Sequence, residues 1–291
     1  LTGIRAIALL YVTPSLMMLL DECVYIFYTG KKHPDVDFYT NYGMYFAKAI
    51  IPTFLFTFLC CVPFIKSWNR VMARIERDEL EGAAERFKSL FRRSAMLIIP
   101  VMIFVFILAE TLQTAIFGKG TKLSIGMAQL SSIMITLLAV AVFISWLMNH
   151  MGKSLVVVVN LGILWALHVA GLVLFMMVLD LGVYGMLLAC ILSLIAYDAV
   201  TLFMVGKLLK IQRSFFKVCL SPLIASALSG LLVYLINLLL VNLIGEILTL
   251  IICLVAFYGV YLLIMVFFMA IRPQELSKLP LGFLFNGFSR E

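Results

Sequence analysis

The feature that most constrains the fold of this chain is a series of eight apolar stretches, each long enough to cross a bilayer. A transmembrane helix needs about 20 consecutive, mostly apolar residues. Hydrophobic residues make up 64% of the 291 positions and charged residues 13%, and a soluble domain of this length has no core large enough to bury so much apolar surface. We therefore predict an all-α polytopic membrane protein with about eight transmembrane helices. Their approximate limits are residues 4–28, 42–65, 94–117, 124–151, 155–179, 182–204, 218–240 and 245–271.

The basic side chains are distributed unevenly over the gaps between these stretches. When successive gaps are assigned alternately to the two sides of the membrane, seventeen Lys and Arg residues fall on one side and four on the other, and Lys48 lies inside a stretch. Cytoplasmic loops are enriched in Lys and Arg, so we predict that the richer side, with both ends of the chain, faces the cytoplasm at the cell membrane. The net charge of +7 is then explained by cations next to anionic membrane lipids, and a nucleic-acid partner is not expected. The seventeen are Arg5, Lys66, Arg70, Arg74, Arg77, Arg86, Lys88, Arg92, Arg93, Lys153, Lys207, Lys210, Arg213, Lys217, Arg272, Lys278 and Arg290; the four are Lys31, Lys32, Lys119 and Lys122.

The longest gap, residues 66–93, has an amphipathic pattern. Apolar residues recur at helical spacing with charges between them, and Asp78 followed by Glu81 has the spacing of a capping box that would start a second short helix. We predict that this segment lies on the inner membrane surface, with its apolar face toward lipid and its basic residues near anionic headgroups. A solvated helical connector is the alternative. The apolar positions are Val71, Ile75, Leu80, Ala84, Phe87 and Phe91.

Several kinds of chemistry find no support in the sequence. No C-x-x-C pair is present, and the three histidines are far apart, so neither a disulfide framework nor a zinc site is expected. The chain has no G-x-x-x-x-G-K-[ST] loop and no Ser–His–Asp set or paired carboxylates in a water-accessible segment. We therefore expect no enzyme activity, no cofactor and no metal site, and transport would have to be driven by an ion gradient, the membrane potential or the substrate gradient.

Three segments carry a resemblance to a known family. Residues 77–118 read RDELEGAAERFKSLFRRSAMLIIPVMIFVFILAETLQTAIFG, residues 181–193 read LGVYGMLLACILS, and residues 14–21 read PSLMMLLD. In this order they resemble the second half of the polysaccharide and lipid-linked oligosaccharide flippases. These are the stage V sporulation protein B-like and lipid II flippase branches of the multidrug/oligosaccharidyl-lipid/polysaccharide (MOP) exporter superfamily.

The resemblance implies a division of the chain. Members of the family have two six-helix lobes, with two extra helices in some branches. Residues 1–210 would be the second lobe, and residues 211–291 would be the two additional helices with a cytoplasmic tail. The first lobe would then come from the same polypeptide or from a partner chain, and the start of the sequence at Leu1 rather than Met agrees with this expectation.

Ionisable residues inside the first two stretches are candidates for the functional site, because a buried charge in a membrane is costly. Asp21 and Glu22 lie about seven residues from the outer end of the first stretch, or roughly 10 Å along a helix, and Lys48 lies at a similar depth in the second. We expect Lys48 to pair with one of the acids in the wall of a substrate cavity. The resemblance implies that Lys48 would there meet a lipid-linked pyrophosphate. The alternative is that Lys48 snorkels to the outer interface while the acids face the loop.

Four further polar residues are candidates for coupling or for the cavity: Glu110, Asn160, His168 and Asp198. Glu110 matches the acidic residue of the family's L-A-E stretch and has either an interfacial structural role or a substrate role. Asn160 and His168 share a helix face, and His168 is either a helix–helix hydrogen-bond partner or a proton carrier. Asp198 is either a coupling carboxylate or an acid that faces the interface.

The family resemblance also bears on sodium. It implies possible sodium ligands at Asp21 and Asn160, but the neighbouring Leu164 and Cys190 are poor ligands for a hard cation.

From these observations we predict an alternating-access flippase that moves a lipid-linked saccharide across the cytoplasmic membrane for cell-envelope polysaccharide synthesis. Two alternatives remain open. The first is a drug/cation antiporter of the same superfamily, which would favour an acidic, aromatic-lined pocket. The second is a non-transporting membrane subunit that docks a polysaccharide synthase through its basic cytoplasmic segment.

Overall fold

The computed structural model describes residues 2–77, 79–211 and 215–267, and within them the side chains of residues 12–77, 79–211, 215 and 218–267. Every regular element in these ranges is helical. Within these ranges, seven helical spans are long and apolar enough to cross a membrane, and they correspond to the second through eighth predicted stretches. The first stretch corresponds to α1, a helix of 31 residues. The predicted cytoplasmic tail and capping residue Asp78 lie outside the described residues.

Eleven α-helices make up most of the described part of the chain, and the second and third apolar stretches are each divided between two or more of them. They are α1 (Thr2–Lys32), α2 (Phe38–Met44), α3 (Ile51–Cys61), α4 (Ile65–Glu76), α5 (Leu80–Ile107), α6 (Ala109–Phe117), α7 (Lys122–His150), α8 (Ser154–Leu172), α9 (Val183–Leu208), α10 (Phe215–Ile244) and α11 (Glu246–Phe267). A π-helical segment, Tyr45–Ile50, joins α2 to α3, and a second, Val173–Val178, extends α8.

The first π-helical segment has an identifiable cause. Pro52 has no backbone N–H, and its ring excludes the carbonyl four residues earlier, which belongs to Lys48. That carbonyl accepts a hydrogen bond from Gln113 Nε2 at 2.7 Å. The side chain of Gln113 on α6 thus satisfies a backbone group that the proline sets free, and the helix widens at this point instead of ending.

Close approach of α8 and α9 depends on small residues. A Cβ atom on Gly171 would lie 3.0 Å from the Cα of Ala189, and one on Gly185 would lie 2.6 Å from the Cγ of Met176. Without a hydrophobic driving force between helices in lipid, such small residues allow the van der Waals contact that holds membrane helices together. The two helices form the most extensive interhelical contact of the described chain, and they carry two of the residues of the candidate site.

The apolar face of the amphipathic segment packs mainly against neighbouring helices, so the prediction that this face is turned toward lipid is wrong. Trp68 on α4 is 1% exposed, and its ring stacks on Phe143 of α7 at 4.7 Å between centroids and meets Phe87 of α5 edge-on at 5.6 Å. A helix begins after Asp78 as predicted, but it is not short, because α5 runs unbroken from Leu80 to Ile107 and includes the membrane span. The apolar residues of the segment do share one helix face, but the surface that this face covers belongs to the neighbouring helices.

The last two helices lie against α5 and α6. Tyr261 on α11 donates a hydrogen bond to the carbonyl of Met96 at 2.9 Å, and Thr111 on α6 donates one to Asn237 Oδ1 of α10 at 2.9 Å. These helices do not contribute to the candidate site described below.

Candidate functional site

A buried carboxylate on α1 is the centre of the site. Asp21 is 1% exposed and His168 on α8 is 0% exposed, and His168 Nε2 lies 2.8 Å from Asp21 Oδ1. The hydroxyl of Tyr45, which opens the first π-helical segment, donates a hydrogen bond to Asp21 Oδ2 at 2.7 Å. The carboxylate therefore has a partner on each oxygen, from two different helical elements. We call Asp21, His168 and Tyr45 the buried triad.

Cys190 on α9 lies beside the buried triad, and this raises the possibility of a metal site. One ligand atom from each of Asp21, His168 and Cys190 lies within 4.8 Å of the others. The fit is poor, because ligand bonds of about 2.0–2.1 Å in a tetrahedral zinc site place ligand atoms about 3.3 Å apart. The nitrogen–oxygen distance of 2.8 Å between His168 and Asp21 is that of a hydrogen bond. The arrangement is thus a hydrogen-bonded pair with a thiol beside it, and we derive no metal chemistry from it.

A cavity of about 100 Å³ begins at Asp21 and Tyr45, two members of the buried triad, and extends along α1 toward Pro14. Asp21 and Tyr45 form part of its wall, and most of the remainder is apolar. Because Pro14 precedes Asp21 by seven residues, the cavity reaches about 10 Å along the helix, toward the side predicted to be cytoplasmic. Ser145 and Tyr197, which are hydrogen-bonded to each other at 2.5 Å, also line it.

An aromatic cluster covers the opposite side of the triad. It consists of Tyr25, Tyr28, Phe38 and Tyr42, in which Phe38 and Tyr42 stack at 5.6 Å between centroids. Tyr42 continues this contact to Tyr45 at 5.6 Å. The triad therefore lies between a cavity on one side and packed aromatic rings on the other.

A polar contact beyond this cluster joins the end of α1 to the turn between α8 and α9. Asp180 Oδ1 accepts a hydrogen bond from the hydroxyl of Tyr28 at 2.9 Å and lies 3.0 Å from His33 Nε2. The hydrogen bonds from His33 and then Tyr28 lower the pKa of the Asp180 carboxyl. Asp180 adopts φ +58°, a left-handed conformation that aspartate tolerates better than most residues. We call this contact the outer clasp.

The expected ion pair of Lys48 with Asp21 or Glu22 is wrong. Lys48 Nζ donates a hydrogen bond to the carbonyl of Lys119 at 3.2 Å and lies 5.3 Å from the ring centroid of Phe117. Lys48 borders a separate, smaller cavity between α3, α6 and α7. The alternative in which Lys48 reaches toward the interface agrees with this geometry.

The remaining candidate residues lie outside the buried triad. Glu22 is half-buried and Glu110 is exposed, and neither joins the buried triad. Asn160 is buried, but Nδ2 lies 4.0 Å from the sulfur of Met204, two helical turns from His168. Asp198 is 5% exposed, and neither of its carboxylate oxygens has a hydrogen-bond partner among the described residues.

Sequence reasoning missed Tyr45 altogether and considered Cys190 only as a poor ligand for a hard cation. Tyrosine is not ionised at neutral pH, so a search for charged residues inside apolar stretches passes over it. The signal that could have found Tyr45 is its position about two turns before Pro52, on a helix that the proline is expected to disrupt.

The fold shows that the chain is an all-α, multi-pass membrane protein, and a polar site is buried among its helices. Comparisons of the chain with family models, with curated proteins and with solved structures gave no match. The resemblance to the MOP flippases therefore stays a prediction.

Proposed function

We propose that the chain is part of an alternating-access transporter, a flippase that moves a lipid-linked saccharide across the cytoplasmic membrane. The observation that carries the proposal is a buried ionisable pair inside a membrane helix bundle: Asp21, which lies in the wall of a cavity, and His168, which is its hydrogen-bond partner. Ionisable groups at membrane depth are expensive and mark substrate or ion pathways by default. A bundle that served only as an anchor would have no need of them.

The helices that form this cavity also have points at which they can bend. Pro14 lies within α1, one π-helical segment interrupts the run from α2 to α3, and the other forms the end of the α8 span. Such interruptions are frequent at functional sites, and broken helices of this kind form the binding sites of many secondary transporters. This supports alternating access as the mechanism.

The identity of the substrate comes from the resemblance and not from the cavity. A volume of about 100 Å³ has room for a few water molecules or one small ion, but not for a saccharide. In this proposal the saccharide headgroup passes between this lobe and the first lobe, while the lipid chain stays in the bilayer. The first lobe, from the same polypeptide or a partner chain, is therefore required for transport.

A drug/cation antiporter of the same superfamily is the second candidate, and one observation favours it. The cavity wall carries an acid, Asp21, and two tyrosines, Tyr45 and Tyr197, whereas Lys48, the cation expected to meet a pyrophosphate, lies at another cavity. An acidic, aromatic wall suits an organic cation better than an anion.

Reconstitution tests the two candidates side by side. The protein, with whatever first lobe its gene or operon supplies, is placed in liposomes that contain a fluorescent polyprenyl-diphosphate oligosaccharide, and an impermeant sugar-oxidising reagent measures how much headgroup changes leaflet. Protein-free liposomes are the control. Flipping of the labelled lipid supports the flippase. Accumulation of ethidium without flipping would identify the antiporter, and neither activity, with loss of polymer synthesis on deletion, would identify the synthase subunit.

A further inference from the structure

A small cavity between α4, α5, α7 and α10 brings together two buried polar side chains, Trp68 and Ser94. Trp68 is 1% exposed and Ser94 is 5% exposed. Neither Trp68 Nε1 nor Ser94 Oγ has a hydrogen-bond partner among the described residues. A buried N–H or hydroxyl without a partner is costly, and native proteins satisfy nearly all such groups through protein atoms or ordered water. The cavity is therefore a candidate binding site.

The indole ring of Trp68 is held in one orientation by its neighbours. Its face stacks on Phe143 of α7 with an interplanar angle of 8°, and it meets Phe87 of α5 edge-on. An indole N–H can only donate a hydrogen bond. Trp68 therefore needs an acceptor at the place where this packing holds its N–H.

Ser94 departs from the usual arrangement of a serine inside a helix. Ser226 and Ser229 on α10 are fully buried, and each donates to the carbonyl four residues earlier, at 2.6 and 2.8 Å. That bond satisfies the hydroxyl without any partner outside the helix. Ser94 makes no such bond, so its hydroxyl is available to a group inside the cavity.

The volume and the wall of the cavity define the chemistry of its occupant. The cavity measures about 30 Å³, and a water molecule needs about 10–15 Å³ and two to four polar partners. Besides Trp68 and Ser94, the wall contains Cys219 and Thr136, whose hydroxyl donates to the sulfur of Met102 at 3.4 Å and still has lone pairs to accept. The remaining wall is apolar and uncharged, which disfavours an ion. A cavity that binds benzene has about 150 Å³, so an organic ligand of that size does not fit.

We propose that Trp68 and Ser94 form a binding site for an ordered water molecule that joins α4 to α5. The water accepts hydrogen bonds from the indole N–H and from the serine hydroxyl, and its own protons are available to the oxygen of Thr136. This arrangement satisfies both buried groups at once. The site is separate from the buried triad, and it does not depend on the proposed transport function.

The water stabilises the docking of α4 on the membrane bundle. Trp68 is the largest fully buried side chain of α4, and the ion pair of Glu76 with His150 at the far end of the helix is wide, at 3.9 Å. Displacement of an ordered water by a group that cannot replace its hydrogen bonds weakens an interface. An apolar group in the cavity should therefore loosen α4, although it would fill the space.

The first test detects the water directly. The chain has three tryptophans, so ¹⁵N-indole NMR of the protein in lipid nanodiscs gives three N–H signals, and Trp68→Phe identifies the one from Trp68. We expect this signal to have the chemical shift of a hydrogen-bonded indole and to show cross-relaxation with water. In Ser94→Val the cross-relaxation should be lost. A Trp68 signal without any transfer from water in the wild type would mean that the cavity is dry and would refute the proposal.

The second test compares two substitutions of Ser94. Ser94→Ala removes the hydroxyl and leaves room for the water, whereas Ser94→Val fills the space of the water and offers no acceptor to the indole. Trypsin cleavage after Arg70 and Arg74 measures how often α4 detaches, because cleavage follows the population of the open form. We expect Ser94→Val to raise the cleavage rate about tenfold, and Ser94→Ala to raise it less. A dry apolar cavity predicts the opposite order, since valine would then improve the packing.

Trp68→Phe provides the matched background, because phenylalanine keeps an aromatic ring but has no N–H. In that background Ser94→Val should change the cleavage rate by less than about twofold. An equal effect in both backgrounds would mean that valine acts through its shape alone, and the water bridge would be wrong. Ser229→Ala, which removes a hydroxyl satisfied within its own helix, is the control and should leave the cleavage of α4 nearly unchanged.

Discussion

Removal of the His168 ring should destabilise the protein far more than a simple loss of volume would. Asp21 is 1% exposed and makes hydrogen bonds of 2.8 Å to His168 and 2.7 Å to Tyr45. His168→Leu keeps the site filled but leaves a buried carboxylate with one partner. Breaking a buried ionic pair from one side costs about 3–5 kcal/mol, since the remaining charge has no compensation.

The same substitution should cost much less once the charge has been removed. In Asp21→Asn the side chain keeps its size, its amide oxygen can accept from His168, and no charge needs a partner, so we expect a loss of about 1 kcal/mol. In that background His168→Leu should cost about 1–2 kcal/mol, which leaves a coupling energy of about 2–3 kcal/mol between the two positions.

Reversible unfolding in mixed micelles with a rising fraction of SDS measures all four proteins of this cycle. Thermal inactivation at a fixed scan rate provides an independent ranking. Single losses that add to the double loss within about 0.5 kcal/mol would mean that Asp21 and His168 do not interact, and the structural description of the triad would then be wrong.

Further predictions follow from other contacts. Asp198→Asn should raise stability by about 1–2 kcal/mol, since it removes a buried carboxylate that has no hydrogen-bond partner, and the same unfolding assay measures it. Trp68→Ala should cost about 3–5 kcal/mol through the cavity it leaves between α4 and α7, and Trp68→Phe should recover a large part of this loss. The outer clasp should be fully formed at pH values above the usual range of aspartate titration and should weaken as the pH falls through the lowered pKa of Asp180. Hydrogen exchange of the α8–α9 turn should therefore become faster at low pH in the wild type. In Asp180→Asn the exchange rate should lose this additional increase at low pH. Single cysteines in residues 66–93 should resist an impermeant thiol reagent added to intact cells, and labelling there would reverse the predicted orientation.

The structure differs from the sequence-based predictions in the direction of side chains more than in their position along the chain. Lys48 lies three residues after Tyr45, which is hydrogen-bonded to Asp21, but its own side chain points toward the α6–α7 loop and Phe117. Depth in the membrane follows from counting residues along a helix, whereas the direction around the helix axis depends on which neighbour packs there. A π-helical segment at Lys48 shifts that direction further, because it breaks the regular period of 3.6 residues.

The sequence by itself determined the class of the protein and the positions of its membrane helices. The hydrophobic length of a span is a local property, and lipid permits no other secondary structure for a long apolar segment of an open chain. It also identified Asp21 and His168 separately, since an ionisable residue within an apolar stretch is conspicuous wherever it stands.

Only the tertiary structure decided which of these residues meet. Asp21 and His168 are separated by 147 positions, and Asp21 and Tyr45 by 24, so no local pattern relates them. Their contact depends on α1 packing against α8 and on a proline that widens the helix before α3. In a bundle held together by shape and by a few buried polar contacts, the choice of neighbours is a property of the whole chain.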